Sequence, residues 1–147
     1  MLNIRYWAIN IIVLNVLFLD ILLKKIFFTN ASEEYFIFGD ILKLKLATNS
    51  GIAFGLGFNY YALILIYFLI IPVLFFALLK AYQQKNNFNI LGFTLIILGA
   101  ISNLIDRIIW REVIDYIDLK YYTVFNLADV MIVLGVILIM VNSFRKK

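Results

Sequence analysis

The sequence contains no cysteine, no histidine and a single proline, and only 15% of its 147 residues are charged. Without cysteine there is no disulfide, no thiolate nucleophile and no cysteine-metal site. Without histidine there is no imidazole base and no Ser-His triad. The lack of cysteine leaves the redox compartment undecided, and carboxylates, lysines and hydroxyls remain for catalysis. Domains that fold in water carry about 25% charged and about 45–50% apolar residues. Here 65% are hydrophobic and the mean hydropathy is +0.99, so the bilayer is the expected solvent. One membrane unit over 1–147 is the expected domain organisation.

Four apolar runs stand out, at about 6–28, 60–79, 89–105 and 125–144. Each is about 17–23 residues, enough at 1.5 Å per residue to span a hydrocarbon core of about 30 Å. Pro72 lies inside the second run and predicts a kink, which neighbouring helices can tolerate in lipid. The first run is too long for the apolar region of a cleaved leader and contains Asp20, so a retained helix is expected. The fold class is a mainly α membrane protein with four transmembrane helices.

Charge placement orients the spans. Residues 1–5, the 80–88 loop and the C-terminal tail carry Arg5, Lys80, Lys85, Arg145, Lys146 and Lys147 with no acid, a dense basic set. The other bases are spread over longer segments, so the positive-inside rule puts both termini in the cytoplasm. All nine carboxylates then lie at or near the extracytoplasmic face. The net charge of +4 reflects these inner flanks; no basic cluster interleaved with aromatics marks a nucleic-acid partner. The Lys85-Asn86-Asn87 stretch reads as a polar cytoplasmic turn.

Between the first two spans, residues 35–38 are followed by Gly39-Asp40 and by Leu42, Leu44 and Leu46 alternating with Lys43 and Lys45. The period of two and the Gly-Asp turn predict a β-hairpin within an extracytoplasmic β region at about 35–58, apolar on one face and basic on the other.

Carboxylates beside spans require an explanation, since an ionised Asp at the bilayer centre costs roughly 2.5–3.5 kcal/mol. Asp20 precedes Lys24 by one turn, the favourable order for an ion pair, and admits both a paired interfacial anchor and a functional group. Asp106-Arg107 closes the third span, where an arginine complements the helix dipole and an adjacent acid can pair with it. Asp129 has no base within one turn on its own helix, and Asn126 precedes it by three residues. Asp115 lies in Val113-Ile114-Asp115-Tyr116-Ile117, which alternates like a strand. The 108–124 loop is short enough to return Asp115 and Asp129 to the same membrane edge. From spacing alone they are either a structural pair or two acids that share a proton and supply an acid and a base around one water.

Asp20-x-x-x-Lys24, Asn49-Ser50-Gly51-Ile52-Ala53-Phe54, Gly99-Ala100-Ile101-Ser102-Asn103-Leu104-Ile105-Asp106-Arg107, Val113-Ile114-Asp115-Tyr116 and Phe125-Asn126-Leu127-Ala128-Asp129 follow one another along nearly the whole chain. In this order they resemble the signature blocks of the bacterial lipoprotein signal peptidases, the signal peptidase II family. The resemblance implies a membrane aspartic endopeptidase with four transmembrane helices and an extracytoplasmic β-cradle, located in the bacterial cytoplasmic membrane. Its implied substrates are diacylated prolipoproteins, met among membrane lipids and cut just before the lipidated cysteine. It also implies a catalytic dyad at Asp115 and Asp129. Asp20, Lys24, Asn49, Gly51, Asn103, Asp106, Arg107 and Asn126 match positions that bind substrate or support the site. No metal or other cofactor is expected, and the enzyme is expected to be a monomer. Two departures are Ser102, where the family often has glycine, and Tyr116, where phenylalanine is usual; neither removes a carboxylate.

Three rival readings compete with this one. A four-helix transporter would place ionisable groups along a midplane pathway, whereas spans two to four carry none in their central turns. A silent membrane adaptor would have no need of both aspartates with Asn126 and the 103–107 block. A Ser-Lys peptidase has Ser50 or Ser102 available, but no lysine lies within one helical turn of either in sequence.

Overall fold

A computed structural model describes residues 4–51 and 59–145, with side chains from residue 7 onward. The 52–58 part of the expected β region, including the Ile52-Ala53-Phe54 end of its motif, lies outside the described residues, as do Lys146, Lys147 and the side chain of Arg5. The chain forms α1 (Ile4–Thr29), β1 (Glu34–Phe38), β2 (Leu42–Asn49), α2 (Tyr60–Gln83), α3 (Asn87–Trp110), β3 (Val113–Leu119) and α4 (Leu127–Phe144). Among the described residues α2, α3 and α4 are long and apolar enough to cross a membrane. The 26-residue α1 exposes Ile11, Ile12, Leu14 and Phe18, the kind of surface a lipid-facing helix presents.

Asparagine begins α2, α3 and α4. The side chains of Asn59, Asn86 and Asn126 accept hydrogen bonds from the backbones of Ala62, Asn89 and Asp129, satisfying amides that have no partner within the helix. Asn86 therefore caps α3 as well as forming part of a polar turn, in which Lys85 takes a left-handed φ of 52°. Helix α2 continues through Pro72. Helix α3 runs on to Trp110, past the expected end at 105, and α4 starts at Leu127 because Phe125 and Asn126 serve as a bridge and a cap.

Helix α3 is the centre of the bundle: half of its apolar stretch is buried, against 6% for α2. It meets α4 at near backbone contact. A Cβ on Gly135 would lie 2.6 Å from the Gly92 carbonyl, and a Cβ on Gly99 would lie 2.6 Å from that of Ala128. Val13, Leu95 and Met131 join α1, α3 and α4 in one buried cluster.

The predicted hairpin is present, turning at Gly39 with φ 52°. The 113–117 stretch is also a strand, and it completes an antiparallel sheet in the order β1-β2-β3. Two lysines of β2 are paired, Lys43 with Asp40 at 3.2 Å and Lys45 with Asp118 at 2.8 Å. After β3 the chain turns back: Phe125 and Ile117 exchange backbone hydrogen bonds of 3.0 and 2.8 Å. That bridge places the first turn of α4 beside β3 and brings Asp129 near Asp115.

Candidate active site

The site is built around four facing elements: α1, α3, β3 and the start of α4. Lys24 of α1 is buried, and its Nζ lies 2.7 Å from Asp106 and 3.1 Å from Asp20. It also donates to Ser102 Oγ and Asn103 Oδ1, each at 3.0 Å. The expected Asp20–Lys24 pair is therefore one arm of a larger knot. Asp106 additionally accepts from the backbone of Ile114 at 3.3 Å, tying α3 to β3.

Asp20 is fully buried and saturated. One oxygen accepts from Ser102 Oγ at 2.6 Å. The other accepts from the Tyr116 hydroxyl at 2.9 Å and from the Ala128 backbone at 3.3 Å. Burial, with Asp20 alongside, pushes the Tyr116 phenol well above its ordinary pKa, so it stays a donor. Ser102 and Tyr116, the two departures from the family pattern, thus supply two of the donors to this one carboxylate. Neither was among the expected site residues. Their signal was present as two hydroxyls at positions where the pattern has none, but it is meaningful only once Asp20 is known to lie between them.

Asn103 and Asn126 join the knot to the two candidate catalytic acids. Asn103 donates to Asp129 Oδ1 at 2.8 Å. The Asn126 amide donates to Asn103 Oδ1 at 3.1 Å and to Asp115 Oδ1 at 2.7 Å. The backbone of Asn126 donates to Asp129 Oδ2 at 3.3 Å, closing a capping box with the reciprocal bond from Asp129 N. One asparagine therefore touches both acids. Asp115 is buried, and its carboxyl is pushed up to about 7 by burial first and by the Asp129 carboxylate second. The Asn126 amide, Lys24 and Arg107 oppose the shift. Asp115, with Ala47, Thr48, Asn49, Ser50, Thr123 and Val124, lines a cavity of about 240 Å³.

Arg107 does not pair with Asp106. Successive helical residues point in different directions, and Asp106 turns to Lys24. The Arg107 guanidinium instead donates to the Gly51 carbonyl at 2.7 Å and to the Tyr67 hydroxyl at 2.9 Å. Gly51 N in turn donates to Asn49 Oδ1 at 3.0 Å, so Arg107 fixes the 49–51 turn against α3. Tyr67 was not foreseen, since nothing in an apolar run marks one tyrosine as an arginine partner.

Although no lysine lies near Ser102 in sequence, the fold brings Lys24 and Ser102 into contact, contrary to what the spacing implies. The pair is nevertheless unsuited to nucleophilic chemistry. The lysine is committed to two carboxylates, the hydroxyl donates to Asp20, and Ser102 is 1% exposed. Among the described residues no cluster of three or more acids is disposed to hold a metal ion.

Fold and site together define a helical membrane protein with two electrostatically coupled carboxylates at the sheet end of its bundle. The signal peptidase (SPase) II family model matches residues 12–145, and the chain belongs to that family. It is 47% identical to a lipoprotein signal peptidase of Bartonella henselae over 69% of this chain and 66% of the relative. With a lipoprotein signal peptidase of Borreliella burgdorferi it shares 31% identity over 95% of this chain and 91% of the relative. Two solved bacterial membrane enzymes share the fold at 26% identity, with TM-scores of 0.80 and 0.77, over 94% and 95% of this chain and 88% and 94% of theirs.

Proposed function

We propose that this chain is a membrane aspartic endopeptidase that removes the signal peptide from diacylglyceryl-modified prolipoproteins, cutting before the lipidated cysteine. The observation that carries the reading is the coupling of Asp115 and Asp129 through Asn126, with Asp115 opening on the cavity. Family membership supplies the substrate class. The dense basic flanks support a cytoplasmic position for both termini, and with it an extracytoplasmic position for the sheet and the acids.

The chemistry follows from the different surroundings of the two acids. Asp129 accepts hydrogen bonds from Asn103 and from the Asn126 backbone, which suits a carboxylate that takes a proton from water. Asp115, with its carboxyl raised to about 7, holds a proton near neutrality. The water oxygen bonds to the scissile carbonyl carbon while its proton passes to Asp129, and the Asp115 proton polarises the carbonyl oxygen. Collapse of the tetrahedral adduct breaks the C–N bond, and a proton from the pair goes to the leaving amine. The apolar exterior lets a substrate carrying acyl chains reach the site from within the bilayer.

The test is cleavage of a diacylated prolipoprotein beside its unlipidated form, with purified enzyme in lipid. Processing of the lipidated form alone is expected. If neither form is cut, the assignment fails.

A further inference from the structure

Asp115 and Asp129 sit on different elements, a strand and a helix, so proton sharing requires something to fix their separation. The residues adjoining them are held at a single point. Tyr116, which follows Asp115, donates its hydroxyl to Asp20 Oδ1 at 2.9 Å, and Ala128, which precedes Asp129, donates its backbone N–H to the same oxygen at 3.3 Å. The N–H of Leu127 closes the triangle by donating to the Tyr116 hydroxyl at 3.2 Å. Leu127 and Ala128 belong to the first turn of α4, where amides have no partner within the helix. Tyr116 is 1% exposed and Asp20 0%, so bulk water cannot take over either bond.

We infer that the Tyr116 hydroxyl is a positioning group that locks β3 to the first turn of α4 through Asp20 and so sets the spacing of Asp115 and Asp129. The assignment of a catalytic role to that spacing rests on the reading of the two aspartates as the dyad. Side chains alternate along a strand, and Tyr116 is not among the cavity-lining residues that include Asp115, so the phenol acts on the pair and not on substrate. Its ring is held independently, stacked on Phe27 at 5.4 Å and 2°. Phenylalanine would keep that packing and lose both hydrogen bonds. Ser102 holds the other oxygen of Asp20 and works in the same direction. The charged groups in play are Lys24, Asp20, Asp106, Arg107 and Asp129, and none of them is altered by the substitution.

The test compares wild type, Tyr116→Phe and Phe27→Leu as purified full-length protein in lipid. Cleavage of a synthetic peptide with a diacylglyceryl-modified cysteine is measured, and the Asp115 titration is followed by carbon NMR with labelled aspartate. For Tyr116→Phe, kcat should fall about ten- to hundredfold with KM unchanged, and the Asp115 midpoint should fall toward the ordinary carboxylate range as the two acids part. Phe27→Leu disturbs the ring and spares the hydroxyl, so it should lower the melting temperature and leave the Asp115 midpoint in place. Equal midpoints in wild type and Tyr116→Phe, or equal shifts in both variants, overturn the inference. A wild-type protein that leaves the peptide intact overturns the proposed function instead, and the titrations still decide whether Tyr116 sets the pair.

Discussion

The side-chain amide of Asn126 lies 2.7 Å from the Asp115 carboxylate, and the same residue is the N-cap of the helix that begins with Asp129 in its first turn. A single asparagine thus joins helix initiation to the electrostatics of the pair. Replacing it separates the two effects. In Asn126→Ala the lost cap costs about 1 kcal/mol of stability, read as a lower melting temperature in detergent. The lost amide also removes a bond that favours ionised Asp115, so the Asp115 titration should move above about 7, with kcat reduced.

In the proposed mechanism Asp115→Asn and Asp129→Asn each remove one proton-transfer partner. Cleavage of the lipidated substrate should drop by at least about 10²–10⁴-fold in either variant. Asparagine retains a carbonyl oxygen to accept the capping bond at 129, so both proteins should keep wild-type far-UV circular dichroism. Full processing by either variant would exclude the dyad.

The pH dependence of stability has a definite sign. Asp115 has a folded pKa of about 7, well above the unfolded value of about 3.9, so the folded state binds the extra proton between those limits. Its contribution to stability is fully present below about 4 and is lost as pH rises through about 7. Denaturant midpoints in detergent should fall across that window in wild type, and Asp115→Asn should flatten this part of the curve. If Asp115 is the donor proposed above, activity should decline on the same alkaline side as its proton is lost.

The spans, the hairpin and the strand character of 113–117 were legible because periodicity and apolar length are local properties. The pairing of Asp20 with Lys24 was legible for the same reason, as both lie on one helix face. What local reasoning could not reach were contacts between elements. Lys24 meets Ser102 and Asn103 across roughly eighty residues of chain, and Asp106 faces Lys24 although Arg107 is its neighbour in sequence. Adjacency misled there because consecutive helical residues diverge by about 100°. Tyr116 was legible as a departure from a pattern, while its meaning depended on Asp20 lying opposite.

Lys24 is the cation on which two buried carboxylates depend. Lys24→Ala leaves Asp20 and Asp106 without it, and removing one partner of a buried ion pair costs about 3–5 kcal/mol. The expected result is a large drop in melting temperature and poor accumulation in membranes. Lys24→Met combined with Asp20→Asn and Asp106→Asn removes the unpaired charges and should recover much of the lost stability without restoring activity. A Lys24→Ala protein as stable as wild type would mean that the two acids find another cation.

Gly99 tests how tightly the helix start is held from behind. A Cβ there would lie 2.6 Å from the Ala128 carbonyl and 2.9 Å from Ile132, and the backbone oxygen cannot rotate away as a side chain could. Gly99→Ala must therefore push α4 from α3 at the residue that precedes Asp129. Overpacking of this kind costs about 1–3 kcal/mol. The displacement also bears on the Asn103–Asp129 contact of 2.8 Å, so kcat should fall together with the melting temperature. Gly92→Ala makes a similarly close contact, 2.7 Å from Ile139 and 2.9 Å from the Gly135 carbonyl, but further along the helices from the pair. It should lower stability comparably and leave kcat nearly intact. Equal losses of kcat in the two variants would mean that activity follows bundle stability, not the placement of the first turn of α4.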